Sequence, residues 1–181
     1  MDKVLKMKVA LILAGGKGTR LSQIRSDIPK PMMPVLGKPI LEYQINLLKE
    51  HEFTDVWLIV NHLYKHIEEY FGNGENFGIN IHYFIEPKPL GTVGGVKALE
   101  RHLKEPFLVL YGDVMMNMDL NRLIQFHHDK SASATLVVSV PPSTALNCNP
   151  SVALYLNSQK SFVSVLWFIK VWVLDKELIL T

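Results

Sequence analysis

Short apolar runs alternate with helical patterns along the first 140 residues, and this alternation constrains the fold more than any other feature. Strands that alternate with helices favour an α/β fold whose sheet is mostly parallel, with right-handed crossovers. The predicted strands are Lys8–Ala14, Asp55–Val60, Ile81–Ile85, Phe107–Tyr111 and Ala134–Val140. The predicted helices are Ile40–Glu50, His62–Phe71, Gly94–Leu103 and Leu120–His128.

The carboxyl ends of the predicted strands are the place to look for a binding site. Parallel strands end at a common edge of their sheet, and open α/β sheets bind their ligands at that edge. In this chain the loops after Ala14, Val60, Ile85 and Tyr111 would lie along it. We therefore expect the binding residues in these four loops.

The composition indicates a folded protein and argues against a nucleic-acid surface. The chain has 181 residues, 48% of them hydrophobic, and a formal net charge of +2. This length and apolar content suit one domain with a buried core, whereas nucleic-acid surfaces are usually more basic. Cys148 is the only cysteine, so no internal disulfide can form. No apolar segment reaches the roughly 20 residues that a membrane-spanning helix needs. We expect one cytoplasmic domain over residues 1–181 that binds neither nucleic acid nor membrane.

The first predicted strand runs into a glycine-rich and basic loop, LAGGKGTRL, at residues 13–21. Backbone N–H groups of such a loop can converge on phosphate oxygens, and Lys17 and Arg20 add positive charge. Two common phosphate-binding motifs do not fit. The chain has no Gly-Lys-Ser or Gly-Lys-Thr for a P-loop, and Leu21 stands where a dinucleotide-binding loop has its third glycine. Taken alone, the loop fits an anion site and an ordinary solvated turn equally well.

The next segment, SDIPKPMMPV, places Lys30 between two prolines. Proline restricts φ and removes a backbone donor, so the four prolines of residues 27–39 exclude an ordinary helix there. We expect Lys30 on a stiff, extended segment, where its charge is positioned at little entropic cost. The alternative is an incidental lysine on a surface loop.

Taken together, these motifs resemble those of a known enzyme family. LAGGKGTRL, seven further residues and then PKPMMPV resemble the sugar-1-phosphate nucleotidyltransferases, also called nucleoside-diphosphate-sugar pyrophosphorylases. Further matches follow in order as GKPILEY at 37–43, EPKPLGTVGG at 86–95 and LVLYGD at 108–113. The sequences of these motifs are most similar to those of the guanylyltransferases of mannose 1-phosphate and manno-heptose 1-phosphate. The molybdopterin guanylyltransferases share only LAGG and a basic loop with them. The resemblance implies a Rossmann-like three-layer αβα fold of the nucleotide-diphospho-sugar transferase type, with a mixed, mostly parallel sheet.

The resemblance also implies an activity and the residues that carry it. The family transfers a nucleotidyl group from an NTP to a sugar 1-phosphate, which yields pyrophosphate and an NDP-sugar for glycan or cell-surface polysaccharide precursors. Arg20, Lys30 and Asp113 match catalytic positions, and Asp113 also matches a ligand of Mg²⁺. The positions that match nucleotide-binding segments are Leu13, Ala14, Gly15, Gly16, Gly18, Thr19, Glu86, Leu90, Gly91 and Thr92.

Glu86 lies in the segment that reads the base in the family, and its chemistry favours guanine. Guanine presents two donors on one edge, N1–H and the exocyclic amine, and a carboxylate can accept from both. Uracil and thymine present one donor between two acceptors, which suits an amide better. We therefore expect GTP to be preferred, although a backbone carbonyl could read the same edge.

The resemblance covers about residues 7–140 and fails after about Pro141. The chain has no Glu-Lys-Pro segment, whose lysine grips the sugar phosphate in the family, and Asp175 does not align with the family's second metal ligand. KVWVLDKELIL at 170–180 resembles a strand followed by a helix. Residues 141–181 are expected to form a divergent, incomplete sugar-binding part.

Three explanations of the divergent part remain open. The chain could be a truncated or frame-altered copy, a nucleotide-binding variant without turnover, or a minimal enzyme with a changed sugar site. If a covering segment is missing, exposed apolar residues favour homo-oligomers or aggregation. Those residues are Val163, Leu166, Trp167, Phe168 and Trp172.

Overall fold

The computed structural model describes residues 7–16, 27–139, 151–156 and 169–174, which form nine strands and four α-helices. The strands are β1 (Val9–Leu13), β2 (Pro34–Val35), β3 (Lys38–Pro39), β4 (Asp55–Val60), β5 (Asn80–Ile85), β6 (Phe107–Tyr111), β7 (Ala134–Ser139), β8 (Ser151–Leu156) and β9 (Ile169–Leu174). The helices are α1 (Ile40–Glu50), α2 (Tyr64–Phe71), α3 (Gly91–Ala98) and α4 (Leu120–Asp129). Within these ranges, no helix combines the length and the apolar character that crossing a membrane requires.

Seven of the strands form one mixed sheet in the order β5-β4-β1-β6-β9-β7-β8. Strands β5, β4, β1 and β6 run parallel, as the alternation of strands and helices predicts. Strand β9 lies antiparallel between β6 and β7, and β8 pairs antiparallel with β7 at the sheet edge. Strands β2 and β3 form a separate antiparallel ribbon ahead of α1. The predicted mixed, mostly parallel sheet is confirmed for the described residues.

Helices cover both faces of the sheet, which gives the predicted three layers. Ala10 and Ile12 of β1 belong to a buried cluster with the apolar faces of α1, α2 and α4. Leu11, between them in sequence, belongs to a second cluster with α3 and residues up to Leu103. The side chains of Ala10, Leu11 and Ile12 are all fully buried. A central parallel strand needs apolar residues on both faces because both faces are covered.

Most predicted elements agree with the structure within two or three residues, and α1 and β4 have the predicted bounds. Helix α3 differs most. It begins at Gly91, before the predicted start at Gly94, and ends at Ala98, and a 3-10 turn over Glu100–His102 follows. Glycine is a poor helix former, so its run obscures the helix start. The sequence pattern also misses β8. Strand β9 agrees with the predicted strand from residue 170, while the helix predicted after it lies outside the described residues.

Candidate functional site

Three backbone hydrogen bonds gather the loops at the carboxyl ends of the parallel strands. The N–H groups of Ala14, Glu86 and Gly112, each just beyond its own strand, donate to the adjacent strand at 2.8, 2.8 and 3.0 Å. The sheet ladder therefore extends by one residue into the loops after β1, β5 and β6. As a result, segments that are distant in the sequence meet along one edge, as the parallel arrangement predicts.

A cavity of about 320 Å³ opens at this edge. Eight of the residues predicted for the site line it: Leu13, Ala14, Gly15, Gly16, Lys30, Glu86, Gly91 and Asp113. Four residues that the sequence did not point to line it as well: Pro31, Ile59, Pro89 and Tyr111. Within the part of the chain that the structure describes, the cavity thus has an apolar wall with two acidic groups and one basic group, a mixture typical of small-ligand sites.

The remaining predicted residues have different outcomes. Gly18, Thr19 and Arg20, with Lys17, lie outside the described residues. Leu90 immediately precedes α3 and touches the site through its backbone, because its N–H donates to the carboxylate of Glu86 at 3.4 Å. Thr92 lies in the first turn of α3.

Lys30 and Asp113 face each other at the cavity. Lys30 Nζ lies 3.8 Å from Asp113 Oδ2, and their side chains are 27% and 44% exposed. Such a half-exposed ion pair adds little to stability in water. Each group is accessible to a charged ligand, because neither is sealed off by the protein.

The backbone around Lys30 differs from the expected extended segment. Pro29 is extended, but Lys30 begins a 3-10 turn over Lys30–Met32. The Pro29 carbonyl accepts from Met32 N at 2.8 Å, and the Lys30 carbonyl accepts from Met33 N at 3.0 Å. A proline in the first turn of a helix loses no bond that the turn would make, so the prolines stiffen a turn here instead of an extended chain. Lys30 is still held on a rigid segment.

Asp113 stands in a tight turn at the end of β6. The N–H of Val114 donates to the Tyr111 carbonyl at 3.2 Å and closes the turn. A Cβ on Gly112 would lie 3.2 Å from both the Leu13 carbonyl oxygen and Pro31 Cγ. Glycine is needed there because the turn runs close against β1 and against the turn that carries Lys30.

Glu86 also lines the cavity, where its carboxylate lies between two glycines. A Cβ on Gly15 would lie 3.0 Å from Glu86 Oε2, and a Cβ on Gly95 would lie 3.2 Å from Oε1. Asn61 also contacts this segment, through a 3.4 Å hydrogen bond from Nδ2 to the Glu86 carbonyl oxygen. Gly15 of LAGG and Gly95 of GTVGG therefore make room for a carboxylate, a role that their spacing alone does not reveal.

The fit of a magnesium ion can be judged from the donors at the cavity. Among the described residues, no group of three or more His, Cys, Asp or Glu side chains could hold a metal ion. Mg²⁺ is usually bound through one or two carboxylates together with substrate phosphates, so a ready-made protein cage is not required. Asp113, accessible and beside the cavity, fits that kind of site.

Buried Gln44 is a site-adjacent residue that sequence reasoning missed. Its Nε2 donates to the Tyr111 carbonyl at 2.8 Å and also to the Val114 carbonyl, so it contacts both ends of the Asp113 turn. The available signal was a polar residue at a buried position of an amphipathic helix, 1% exposed in the structure. Such a residue requires polar partners.

Comparison with known proteins places this architecture in a family. The model of the nucleotidyl transferase family matches residues 9–146. The UTP–glucose-1-phosphate uridylyltransferase of Synechocystis sp. is 39% identical over 145 residues, which cover 74% of this chain and 37% of that protein. The D-glycero-alpha-D-manno-heptose 1-phosphate guanylyltransferase of Campylobacter jejuni is 46% identical over 114 residues, which cover 63% of this chain and 51% of that protein. The chain therefore spans about half or less of the length of these two relatives.

A solved structure supports the same fold. The UDP-glucose pyrophosphorylase from Acinetobacter baumanii superposes with a TM-score of 0.72 at 21% identity, over 96% of this chain and 76% of that chain. At this identity the similarity supports the fold and nothing finer. With the family model covering most of its length, this chain belongs to the sugar-1-phosphate nucleotidyltransferase family.

Proposed function

We propose that this protein transfers a nucleotidyl group from an NTP to a sugar 1-phosphate. A phosphate oxygen of the sugar 1-phosphate attacks the α-phosphorus of the NTP and forms a new P–O bond. The bond from the α-phosphorus to the oxygen bridging to the β-phosphate breaks, and pyrophosphate leaves with that electron pair. The observation that carries the proposal is the Lys30–Asp113 pair, 3.8 Å apart beside a cavity at the carboxyl edge of the sheet.

Lys30 would contribute positive charge next to the reacting phosphates. Its ammonium neighbours Asp113 in the structure, and both groups are accessible. A triphosphate entering the cavity offers oxygens that compete with the Asp113 carboxylate for Lys30. Because its segment is a stiff turn, little side-chain and backbone freedom is lost when Lys30 binds the phosphates. Charge held where charge develops in the transition state is the main catalytic device available for this chemistry.

Asp113 would hold Mg²⁺ together with phosphate oxygens of the NTP. The ion would neutralise phosphate charge and make the α-phosphorus a better electrophile. The contribution of the chain is to keep one carboxylate at the end of β6 in a turn closed by the Val114 to Tyr111 hydrogen bond. The carboxylate would then meet the phosphates in one orientation.

We propose GTP as the preferred nucleotide because of Glu86. Its carboxylate lies at the cavity between Gly15 and Gly95, with one oxygen accepting from the Leu90 N–H. A carboxylate can accept from both N1–H and the exocyclic amine of guanine, whereas the uracil edge would bring acceptors against it. The relatives include a guanylyltransferase and a uridylyltransferase, so base preference must be measured on this chain.

For the sugar 1-phosphate, the comparisons favour a class of sugars and not a single one. Similarity to a manno-heptose 1-phosphate guanylyltransferase favours a 1-phosphate of mannose or manno-heptose. The product would be a nucleotide-activated sugar, the donor class that glycan assembly consumes. A cytoplasmic setting would supply the NTP.

The experiment is pyrophosphate release by purified protein with Mg²⁺, over a matrix of nucleotides and sugar phosphates. The nucleotides are GTP, UTP, dTTP, ATP and CTP, and the acceptors are mannose 1-phosphate, manno-heptose 1-phosphate and glucose 1-phosphate. We expect release only when both substrates are present, with GTP preferred. Release without an acceptor would indicate simple hydrolysis and contradict transfer.

Glu86→Gln tests the base assignment. The amide loses one acceptor for guanine, so we expect kcat/KM for GTP to fall by about 30-fold, or about 2 kcal/mol, while UTP or dTTP loses less. Glu105→Gln, at an exposed position away from the cavity, is the matched control and should leave the preference unchanged. Equal losses for all nucleotides in Glu86→Gln would contradict base reading by this side chain.

A second candidate is a protein that binds the nucleotide but does not turn it over. It is favoured by the absence of a Glu-Lys-Pro segment from the 181 residues, because the lysine of that segment grips the sugar phosphate in the family that the sequence resembles. GTP binding without pyrophosphate release from any pair of substrates would support it. The two candidates share the nucleotide site and differ only in chemistry.

A further inference from the structure

We infer that Gln44 is a positioning residue, whose side-chain amide holds the Asp113 turn in the geometry that the metal and the phosphates require. The inference rests on the proposed function for the role of Asp113, but its geometric part stands independently. Gln44 belongs to α1 and reaches the turn from that helix. Its side-chain hydrogen bonds go to the backbone carbonyls of Tyr111 and Val114, at the two ends of the turn.

Gln44 occupies a buried position of its helix, where an apolar residue would be expected. Gln44 is 1% exposed and shares the buried face of α1 with Leu41, Ile45 and Leu48, all fully buried. An amide on such a face loses its hydration and is destabilising unless it finds partners inside the protein. Leucine at this position would follow the apolar pattern of the helix. The presence of glutamine therefore requires a specific reason.

Both hydrogens of the Gln44 side-chain amide are donated to the Asp113 turn. An amide nitrogen carries two of them, and Gln44 Nε2 donates one to the Tyr111 carbonyl, at 2.8 Å, and one to the Val114 carbonyl. These carbonyls flank Gly112 and Asp113, the two central residues of the turn. One nitrogen thus fixes both ends of the turn from a rigid helix. The opposite amide orientation would bring Oε1 against two carbonyl oxygens and is excluded by repulsion.

The oxygen of the same side-chain amide is less well accommodated than the nitrogen. Gln44 Oε1 is buried and has no hydrogen-bond partner among the described residues. A buried acceptor without a partner is unfavourable, so glutamine is a poor choice for stability alone. The donors are its useful part, and they are spent entirely on the Asp113 turn.

The Asp113 turn is held by β1 as well as by Gln44. The Gly112 N–H donates to the Leu13 carbonyl at 3.0 Å, which fastens this side of the turn to β1. Gln44 prevents movement away from it. The Asp113 side chain is 44% exposed, and its charged partner Lys30 lies 3.8 Å away, so its placement depends largely on the backbone.

The test compares wild type with Gln44→Met, which keeps side-chain length but removes both donors. We expect kcat to fall by about 10- to 100-fold, as for other residues that orient a metal ligand, with a comparable rise in the Mg²⁺ concentration for half-maximal rate. KM for GTP should stay within about twofold of the wild-type value, because Glu86, the proposed base-reading residue, lies in the loop after β5 and not in the Asp113 turn. Gln44→Leu, which lacks the donors but has a different shape, should behave in the same way.

Two measurements do not depend on turnover. Hydrogen exchange of the Val114 amide should become faster in Gln44→Met, with exchange in β4 unchanged. Mn²⁺ binding in the presence of GTP, followed by electron paramagnetic resonance, should weaken to the same extent as the Mg²⁺ dependence. If wild type releases no pyrophosphate, the proposed function fails, and these two measurements still decide the role of Gln44.

Ile45→Val is the matched control, since it alters the adjacent buried position of α1 without touching the turn. It should lower the melting temperature slightly and leave kcat, Mg²⁺ dependence and Val114 exchange unchanged. The inference is overturned if Gln44→Met keeps the wild-type Mg²⁺ dependence and Val114 exchange. It is also overturned if both Gln44 variants fail to fold, because the role would then be structural.

Discussion

At the scale of single residues, the site depends on two charges brought close and left accessible. Lys30 comes from the proline-rich segment before α1 and Asp113 from the end of β6, and their charged atoms lie 3.8 Å apart. A pair this exposed is worth little to the fold. The partial exposure of both groups suits ligand binding better than stability, so removing one charge should affect activity far more than folding.

Lys30→Ala is the direct test of that asymmetry. We expect kcat for pyrophosphate release to fall by about 100- to 1000-fold, because a charge that stabilises the transition state is lost. The melting temperature should change little. Lys104→Ala, which removes an exposed lysine away from the cavity, serves as control and should keep full activity. An equal loss in both variants, or a large loss of stability in Lys30→Ala, would contradict this assignment.

At the scale of secondary-structure elements, one carboxylate links three of them. Glu42 of α1 accepts from Lys38 Nζ of β3 at 2.7 Å and from the Tyr70 hydroxyl of α2 at 2.7 Å. The bond from Lys38 and then the bond from Tyr70 lower the pKa of the Glu42 carboxyl below its ordinary value of 4.5. The ionised form therefore fastens the ribbon and α2 to the helix that carries Gln44.

The lowered pKa makes this contribution dependent on pH, with a defined sign. A depressed pKa in the folded state stabilises the fold above the unfolded value near 4.5, and the stabilisation is lost as pH falls through the folded pKa. We expect Glu42→Gln to lower the free energy of unfolding at neutral pH, with the difference from wild type shrinking below pH 4.5. Urea unfolding followed by circular dichroism at several pH values measures it.

The control for this prediction is Glu69→Gln, which removes an exposed carboxylate from α2. Its effect on the free energy of unfolding should be small. A difference between wild type and Glu42→Gln that stays constant down to the acid transition would show that the ionised form of Glu42 is not what stabilises the fold.

At the scale of the whole molecule, the cavity joins segments that are far apart in the chain. Gly15 follows β1, Glu86 follows β5 and Asp113 follows β6, and all three line one cavity. A nucleotide bound there would contact all three loops and would find them together only in the folded state. Binding should therefore stabilise the entire sheet and not a single loop.

This linkage predicts a thermal shift. At a free GTP concentration 100 times its Kd, the free energy of unfolding should rise by about 2.7 kcal/mol. Differential scanning fluorimetry across a GTP series measures the rise in melting temperature. Glu86→Gln should need more GTP for the same shift, and CTP should produce less. A shift that is identical for all nucleotides would indicate recognition of phosphate alone.

Much of the fold could be predicted from sequence because the signals are local. The apolar run DVWLIV predicts β4 and the spacing in ILEYQINLLKE predicts α1, and both have the predicted bounds. Glycine at the end of β1 and aspartate at the end of β6 predict the loops that line the cavity. Local signals fail where one residue type serves two purposes: Pro31 stiffens a 3-10 turn, and Gly95 of α3 admits the Glu86 carboxylate.

The sequence by itself determined the α/β class, the parallel strands and the loops that carry the site, because periodicity, glycine and proline act over a few residues. Only the tertiary structure decided that β9 lies between β6 and β7, that Lys30 meets Asp113 and that Gln44 holds the Asp113 turn. These contacts join residues far apart in the chain. They exist because the sheet and helices pack in one arrangement, and no local pattern encodes the distance between two distant segments.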